Sequence, residues 1–260
     1  MNPTATEGGP HFDSGPKARA MILAAGRGER MRPLTDHTPK PLLNVRGKPL
    51  MQWPMEGLVR GGFDDILINT AWLSERIHGH YGAMVTLGRE GVARLTYSDE
   101  ALDFGYALET AGGISRALPW LDDVFWVVAG DVFVPDFTFD AAAVSRFAAS
   151  GKLAHIWLVP NPPHNPQGDF GLSTQGLALN LPKGTTSQPL YTFSTIALYR
   201  RAFFELPWCD IVPGNPQGAA APLAPLLRLA MDQGQVSADL YSGPWTDVGT
   251  PERLAELNSL

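Results

Sequence analysis

The sequence predicts an α/β fold built on a mostly parallel sheet with helices on both faces, followed by a more irregular half. Three observations point there. Short apolar runs with the character of buried strands alternate with helix-like segments as far as residue 159. Most of those runs close on Gly, Asn or Pro, where a loop begins. Beyond that point the regular alternation breaks down into Pro/Gly-rich stretches with isolated strand and helix signals. A strand–helix–strand order places strands parallel and covers both faces of the sheet with the connecting helices.

The elements follow in order. Residues 20–25 (AMILAA) form a short apolar strand closed by Gly26. Residues 51–59 form a helix whose start is interrupted by Pro54 and whose end is Gly61-Gly62. Residues 66–69 are a second strand. Residues 74–80 are a short helix with Ser74 as its cap. Residues 94–97 are a third strand, and Thr110 caps a helix that runs to Leu118 before Pro119 stops it. Residues 124–128, rich in Val and aromatics, make a strand ending at Gly130-Asp131. A helix over 139–149 and a strand over 153–159 complete the regular part. The second half offers a long strand over 192–199, a loop over 212–222, a helix over 223–231 and a last helix over 251–257. Residues 1–18 carry one large apolar residue, Phe12, and are expected to be a disordered tail; residues 19–260 are expected to form a single domain.

Composition excludes several classes. With 260 residues and 44% apolar side chains, the chain can bury a full core. A formal net charge of −6 argues against a general nucleic-acid binder, whose footprint is basic. The tail lacks the apolar run of a signal peptide, and no stretch is long enough to cross a membrane. The single cysteine, Cys209, allows no disulfide within the chain. A cytoplasmic location and no membrane partner are the default expectations. The sequence assigns no oligomeric state.

In an open parallel sheet, ligands bind beyond the carboxyl ends of the strands, and the richest such segment is residues 23–42, LAAGRGERMRPLTDHTPKPL. Gly26 and Gly28 allow a tight turn whose N–H groups face an anion. Arg27, Arg30, Arg32 and Lys40 put four cations within 14 residues. Arginine suits bidentate phosphate contacts, and lysine acts as a point charge. Pro33, Pro39 and Pro41 stiffen the loop. This is not a phosphate-binding Walker loop, because Gly-Lys-Ser/Thr is absent. Nor is it a dinucleotide fingerprint, because Met31 holds the third glycine's place. On its own, a Gly-x-Gly with cations is equally a solvated basic loop. Asp131 after its strand is, on its own, equally a turn or cap residue.

LAAG-R-G-E-R-M-R-P-L-T followed by P-K-P-L resembles the signature of the sugar-phosphate nucleotidyltransferases. The resemblance spans residues 19–257 and implies a Rossmann-like sheet with a sugar-binding half. It implies that Ala24, Ala25, Gly26, Arg27 and Gly28 hold the nucleotide, that Arg30 stabilises the transferring phosphates, and that Lys40 contacts phosphate near the reacting centre. Asp131 and Asp247 match acidic residues that hold Mg²⁺ in that family, with Asp131 also in the catalytic set. Asn69 in NTAWL, and Glu109, Thr110 and Gly112 in ETAGG, match segments that approach the nucleotide, as does Gly130. The small-molecule substrates implied are a nucleoside triphosphate and a sugar 1-phosphate. No covalent enzyme intermediate is required, because the sugar phosphate already carries an attacking oxygen, so positioning and charge stabilisation suffice.

The run NPPHNPQGDF, with Asn161, Gly168 and Asp169, resembles the sugar-facing loop of one bacterial branch, which transfers uridylyl from UTP to N-acetylmuramate 1-phosphate in cell-wall recycling. Thr195 stands where that branch often has glycine, TDVGT departs by one residue, and the loops at 101–107 and 212–222 are longer. His164 in the same Pro-rich run is a further candidate sugar contact. Alternatives are another base and sugar pair, such as GTP with mannose 1-phosphate or dTTP with glucose 1-phosphate, and a catalytically silent nucleotide-sugar-binding regulator. The presence of Arg30, Lys40, Asp131 and Asp247 argues against the last.

Overall fold

The computed structural model describes residues 18–182, 184 and 188–259. The expected tail therefore lies outside the described residues except for Ala18, which opens the first strand. The strands of the main sheet are β1 (Ala18–Ala24), β2 (Asp65–Thr70), β3 (Met84–Thr86), β4 (Val92–Asp99), β5 (Leu121–Ala129), β6 (Ala154–Val159), β7 (Phe170–Leu172), β8 (Ala178–Leu179), β9 (Leu190–Arg200) and β10 (Val236–Leu240). The helices are α1 (Gln52–Arg60), α2 (Ser74–Tyr81), α3 (Glu100–Phe104), α4 (Glu109–Ala117), α5 (Ala141–Ser150), α6 (Leu223–Asp232) and α7 (Pro251–Ser259).

The order along the sheet is β8-β7-β9-β5-β1-β2-β4-β3, with β6 also paired to β9 and β10 outside it. β5, β1, β2 and β4 run parallel, as the alternation predicts. The flanks are antiparallel: β3 folds back on β4, and β9 sits antiparallel between β5 and β6. The chain steps from β1 to β2 to β4 on one side and then returns to place β5 on the other side of β1. That reversal makes a crevice at the carboxyl ends of β1 and β5, where ligands bind in such sheets.

Alternation along β1 assigns its two faces. Ala20, Ile22 and Ala24 pack into a core with Met55 and Leu58 of α1, Ile77 of α2 and Phe147 of α5. Met21 packs on the other side with Ile114 of α4 and Leu227 of α6. A third cluster joins Met31, Leu43, Val45, Leu50, Phe133, Val248 and Leu257, and so pins the cation-bearing segment to α7. Both sheet faces are covered, which is why the strand runs are continuously apolar rather than alternating.

Several local expectations are corrected. Pro54 does not interrupt α1, because it lies in the first turn, where backbone N–H groups have no intrahelical partner to lose. Ser74 is not the cap of α2: Leu73 holds that position at φ 51 without a side-chain bond. Thr110 is not the cap of α4: Leu108 is, again with no side-chain cap. The N–H groups of Ala111 and Gly112 instead donate to the Ala221 carbonyl at 2.9 and 3.2 Å, so the loop over 212–222 does the capping. Tertiary partners satisfy these helix starts, and the local sequence carries no trace of them. The sequence also missed β3 and β10, both short edge strands, and α3, which is a single turn capped by Asp99.

Candidate active site

Two cavities meet at the crevice. The larger, about 660 Å³, is bordered by Leu23, Ala25, Gly26, Arg27, Asn69, Glu109, Thr110, Ala129, Asp131, Phe170, Phe193, Thr195 and residues of α6. The smaller, about 250 Å³, is bordered by Gly26, Gly28, Arg30, Lys40, Asp131 and Gly249. Leu23, Gly26 and Asp131 line both, so the end of β1 and the segment after β5 form the shared wall.

The segment after β1 is a rigid frame. Gly28 sits at φ +68, and a Cβ there would lie 3.1 Å from Thr35 Cγ2 and 3.3 Å from Lys40 Cβ, so both the turn and the packing demand glycine. A Cβ on Gly26 would meet nothing within 4 Å, which leaves its backbone open to a ligand. Buried Thr35 is the hub: its hydroxyl donates to the Gly28 carbonyl at 2.9 Å, and its own carbonyl accepts from Arg27 Nη1 and Trp72 Nε1. The Arg27 guanidinium lies 3.7 Å from the Trp72 ring centroid and reaches Asp36. Arg32 also bonds Asp36 at 2.8 Å. Arg27 and Arg32 are thus engaged in bracing the loop. Arg30, exposed and without an ion pair among the described residues, faces the smaller cavity.

Lys40 is buried and projects its Nζ to 2.5 Å from Asp131 Oδ2. The contact joins two residues 91 apart in sequence. Asp247 lies on a two-residue ribbon, Thr246–Asp247, paired with Val132–Phe133, and Val248 N–H donates to the Asp131 carbonyl at 3.0 Å. The backbone therefore brings both acidic residues to one corner. The side chains differ. Asp131 opens onto both cavities, whereas Asp247 meets Arg253 Nη1 at 2.6 Å through Oδ2 and His164 Nε2 at 2.6 Å through Oδ1. His164, a candidate sugar contact by sequence, is here a partner of Asp247. Among the described residues no cluster of three or more His, Cys, Asp or Glu side chains encloses a metal. A carboxylate such as Asp131 beside a phosphate-sized cavity is nonetheless the donor set Mg²⁺ uses, because it binds through one or two carboxylates plus substrate phosphates and water.

The remaining sequence candidates fall into two groups. Ala25, Gly26, Arg27, Glu109 and Thr110 line the larger cavity, with Glu109 at φ 60. Ala24 borders the smaller one. Gly112, Gly130 and Gly168 mark close backbone approaches instead. A Cβ would lie 2.4 Å from the Ala219 carbonyl oxygen at Gly112, 3.1 Å from the Leu23 carbonyl oxygen at Gly130 and 2.7 Å from the Leu190 carbonyl carbon at Gly168. Asn161 donates to the Leu190 carbonyl and accepts from Thr192, and Asp169 Oδ2 accepts from the Phe193 N–H. These two side chains tie the Pro-rich loop to β9. Sequence reasoning did not assign Phe170, Phe193, Thr195 and Leu227 to this wall, although Phe170 closes the NPPHNPQGDF run and Thr195 marks a departure from the family pattern.

The smaller cavity, lined by exposed Arg30 and buried Lys40, opens past Asp131 into the larger cleft, an arrangement suited to a phosphate ligand. The chain belongs to the nucleotidyl transferase family, whose model matches residues 19–181. Among its relatives, it is 45% identical over 244 residues to the N-acetylmuramate alpha-1-phosphate uridylyltransferase of Neisseria meningitidis serogroup B, covering 93% of this chain and 97% of that protein. It is 30% identical to the protein of the same name from Caulobacter vibrioides, covering 91% and 97%. The fold is shared with a Bacillus anthracis protein assigned as a glucose-1-phosphate thymidylyltransferase, at a TM-score of 0.73 and 22% identity over 93% of this chain and 94% of that one. No helix among the described residues is long and apolar enough to cross a membrane.

Proposed function

We propose that this protein transfers the uridylyl group of UTP to N-acetylmuramate α-1-phosphate, giving UDP-N-acetylmuramate and pyrophosphate, in the cytoplasmic recycling of cell-wall material. The observation that carries the substrate pair is the 45% identity, over nearly the whole of both chains, to the Neisseria uridylyltransferase. The geometry supports the reaction type. A sugar-phosphate oxygen held in the larger cleft attacks the α-phosphorus of UTP. The new bond is O–Pα, the Pα–O bond to the β-phosphate breaks, and the leaving group is pyrophosphate. No proton has to be removed from the nucleophile.

Each chain residue then has a task. The open Gly26 backbone approaches the phosphates, Arg30 offsets charge on the transferring and leaving groups, and buried Lys40 presents a fixed cation at the junction of the cavities. Glu109 and Thr110 border the nucleotide side of the larger cleft, and Asn161, Gly168 and Asp169 hold the loop on the sugar side. Mg²⁺, when bound, neutralises the triphosphate and polarises the reacting phosphate. Asp131 would hold it, joined by Asp247 if that carboxylate exchanges Arg253 or His164 for the ion.

The test is pyrophosphate release with Mg²⁺ for UTP, dTTP, GTP, CTP and ATP against a panel of sugar 1-phosphates that includes N-acetylmuramate 1-phosphate. Turnover concentrated on UTP with that sugar is the expected result. Preference for another pair would replace the substrate, and folded protein that binds nucleotide without turnover would replace the enzyme reading with a regulatory one.

A further inference from the structure

Behind the cleft, one buried carboxylate touches both of its nucleotide-facing walls. Glu100, at the start of α3, is fully buried. Its Oε1 accepts from Asn69 Nδ2 at 2.7 Å, and its Oε2 accepts from the Leu108 N–H at 2.6 Å. Asn69, only 3% exposed, uses its Oδ1 to accept from the Ala24 N–H at 2.9 Å. Ala24 is the last residue of β1 before Ala25 and Gly26. Leu108 directly precedes Glu109 and Thr110. The two segments are more than eighty residues apart in sequence, and the Glu100–Asn69 pair is a direct polar link between them. Space is reserved for it: a Cβ on Gly113 would lie 2.5 Å from Glu100 Oε1 and 3.0 Å from Asn69 Nδ2.

The family resemblance implies that Asn69 approaches the nucleotide. Its side chain does border the larger cavity, but both its polar ends are engaged by protein. Burial raises the Glu100 carboxyl, opposed by the bonds from Leu108 and Asn69 and by the charge of Arg116. Arg116 is itself buried and bonds the Gly214 carbonyl and Asp103, which ties α3 to the loop over 212–222. A buried, ionised carboxylate is costly unless its acceptors are filled, and here both are.

We infer that Glu100 is a positioning residue for nucleotide binding: through Asn69 and Leu108 it sets the separation of the glycine loop and the start of α4. The inference rests on the reading that this cleft holds the nucleotide. Counting donors and acceptors shows why the carboxylate is specific. Three donors (Leu108 N–H, Ala24 N–H and Asn69 Nδ2) face three acceptors (Glu100 Oε1, Glu100 Oε2 and Asn69 Oδ1). In Glu100→Gln the shape is kept, but only two acceptors remain. If both backbone N–H groups are satisfied, the two side-chain amides meet donor to donor. A second change restores the count. When Glu100→Gln is combined with Asn69→Asp, the amide now at position 100 accepts from Leu108 and donates to the carboxylate now at position 69. That carboxylate's other oxygen accepts from Ala24. Net charge is conserved.

The experiment measures KM for UTP, kcat, UTP affinity by calorimetry and the unfolding midpoint for the wild type, Glu100→Gln and the double variant, all as full chains. Glu100→Gln is expected to raise KM and Kd for UTP by about tenfold, the size of one buried polar mismatch, while kcat changes less than about threefold. The double variant is expected to recover most of that loss. A folded Glu100→Gln protein with KM within about twofold of wild type overturns the inference. So does a folded double variant that regains the unfolding midpoint but not the UTP affinity, or failure of both variants to fold, since either makes the network a folding element only. Wild-type protein that does not bind UTP overturns the nucleotide reading itself, a different outcome from any of these.

Discussion

The side of the cleft proposed to hold phosphate and the side proposed to hold the sugar are assembled differently. On the phosphate side, residues 26–40 supply the open glycine backbone, the free Arg30 and the buried Lys40 from one continuous segment, braced from within by Thr35 and Arg27. On the sugar side, the wall comes from β5, β7, β9 and α6, and the Pro-rich loop is held by Asn161 and Asp169 through bonds to β9. A site whose groups come from one segment, braced largely from within, depends less on distant loops. A site made from four elements changes shape with any of them. The reaction is therefore expected to depend on the first region and the choice of sugar on the second.

The largest effect should come where the two regions meet. Asp131→Asn removes the charge that pairs with Lys40 and borders both cavities. We expect kcat to fall by at least ~100-fold, equivalent to about 2.7 kcal/mol of barrier, with the fold intact. Pyrophosphate release titrated with Mg²⁺ checks this, and near-normal turnover at limiting Mg²⁺ would remove Asp131 from the junction.

A smaller and selective effect is expected at Thr195. This residue sits at φ 64 in the β9 irregularity, where its hydroxyl donates to the adjacent Ser194 carbonyl. A β-branched residue in that region stores on the order of 1–3 kcal/mol, whereas glycine adds roughly 0.5–1 kcal/mol of unfolded-state entropy. Thr195→Gly is therefore expected to raise the unfolding midpoint by roughly 2–4 °C. The same change removes a cleft wall, so KM for the sugar phosphate should rise while KM for UTP stays constant. Equal changes in both constants would erase the distinction between the two regions at this point.

The smallest effect concerns the brace of the phosphate side. A hydrogen bond from Arg32, then one from Arg27, holds the Asp36 carboxyl below its ordinary range. A carboxyl lowered in the folded state stabilises the fold above its unfolded value, near pH ~4, and that contribution is lost as pH falls through the folded value. Asp36→Asn should lower the unfolding midpoint slightly near pH ~7 and converge on wild type once the pH has fallen below the folded value and Asp36 is protonated. A gap independent of pH would show that Asp36 acts by shape rather than charge.

Legibility in the sequence divides along the same line. The β1 and β5 runs, the glycine loop and Asp131 are visible because their signals are local: apolar residues in series, then Gly, then charge. Arg30 and Arg27 look alike in sequence, and only Trp72 and the Thr35 carbonyl tell them apart. Ser74 and Thr110 have the chemistry of helix caps, yet neither caps. At α4 the reason is a distant partner, the Ala221 carbonyl, which already meets the helix start. Asn161 and Asp169 lie in the loop the sequence indicates, but their polar atoms turn inward to β9.

By itself the sequence determined the parallel core, because strand pattern needs no knowledge of distant contacts, and its resemblance to a known family implied the transfer chemistry and marked residues 23–42 as the candidate phosphate segment. Only the tertiary structure decided which cations stay free, that Asp131 and Asp247 share a corner while their carboxylates face different partners, and that Glu100 joins β1 to α4. Those outcomes depend on which buried donors and acceptors meet once the chain is folded, a matter of three-dimensional pairing that spacing along the chain does not encode.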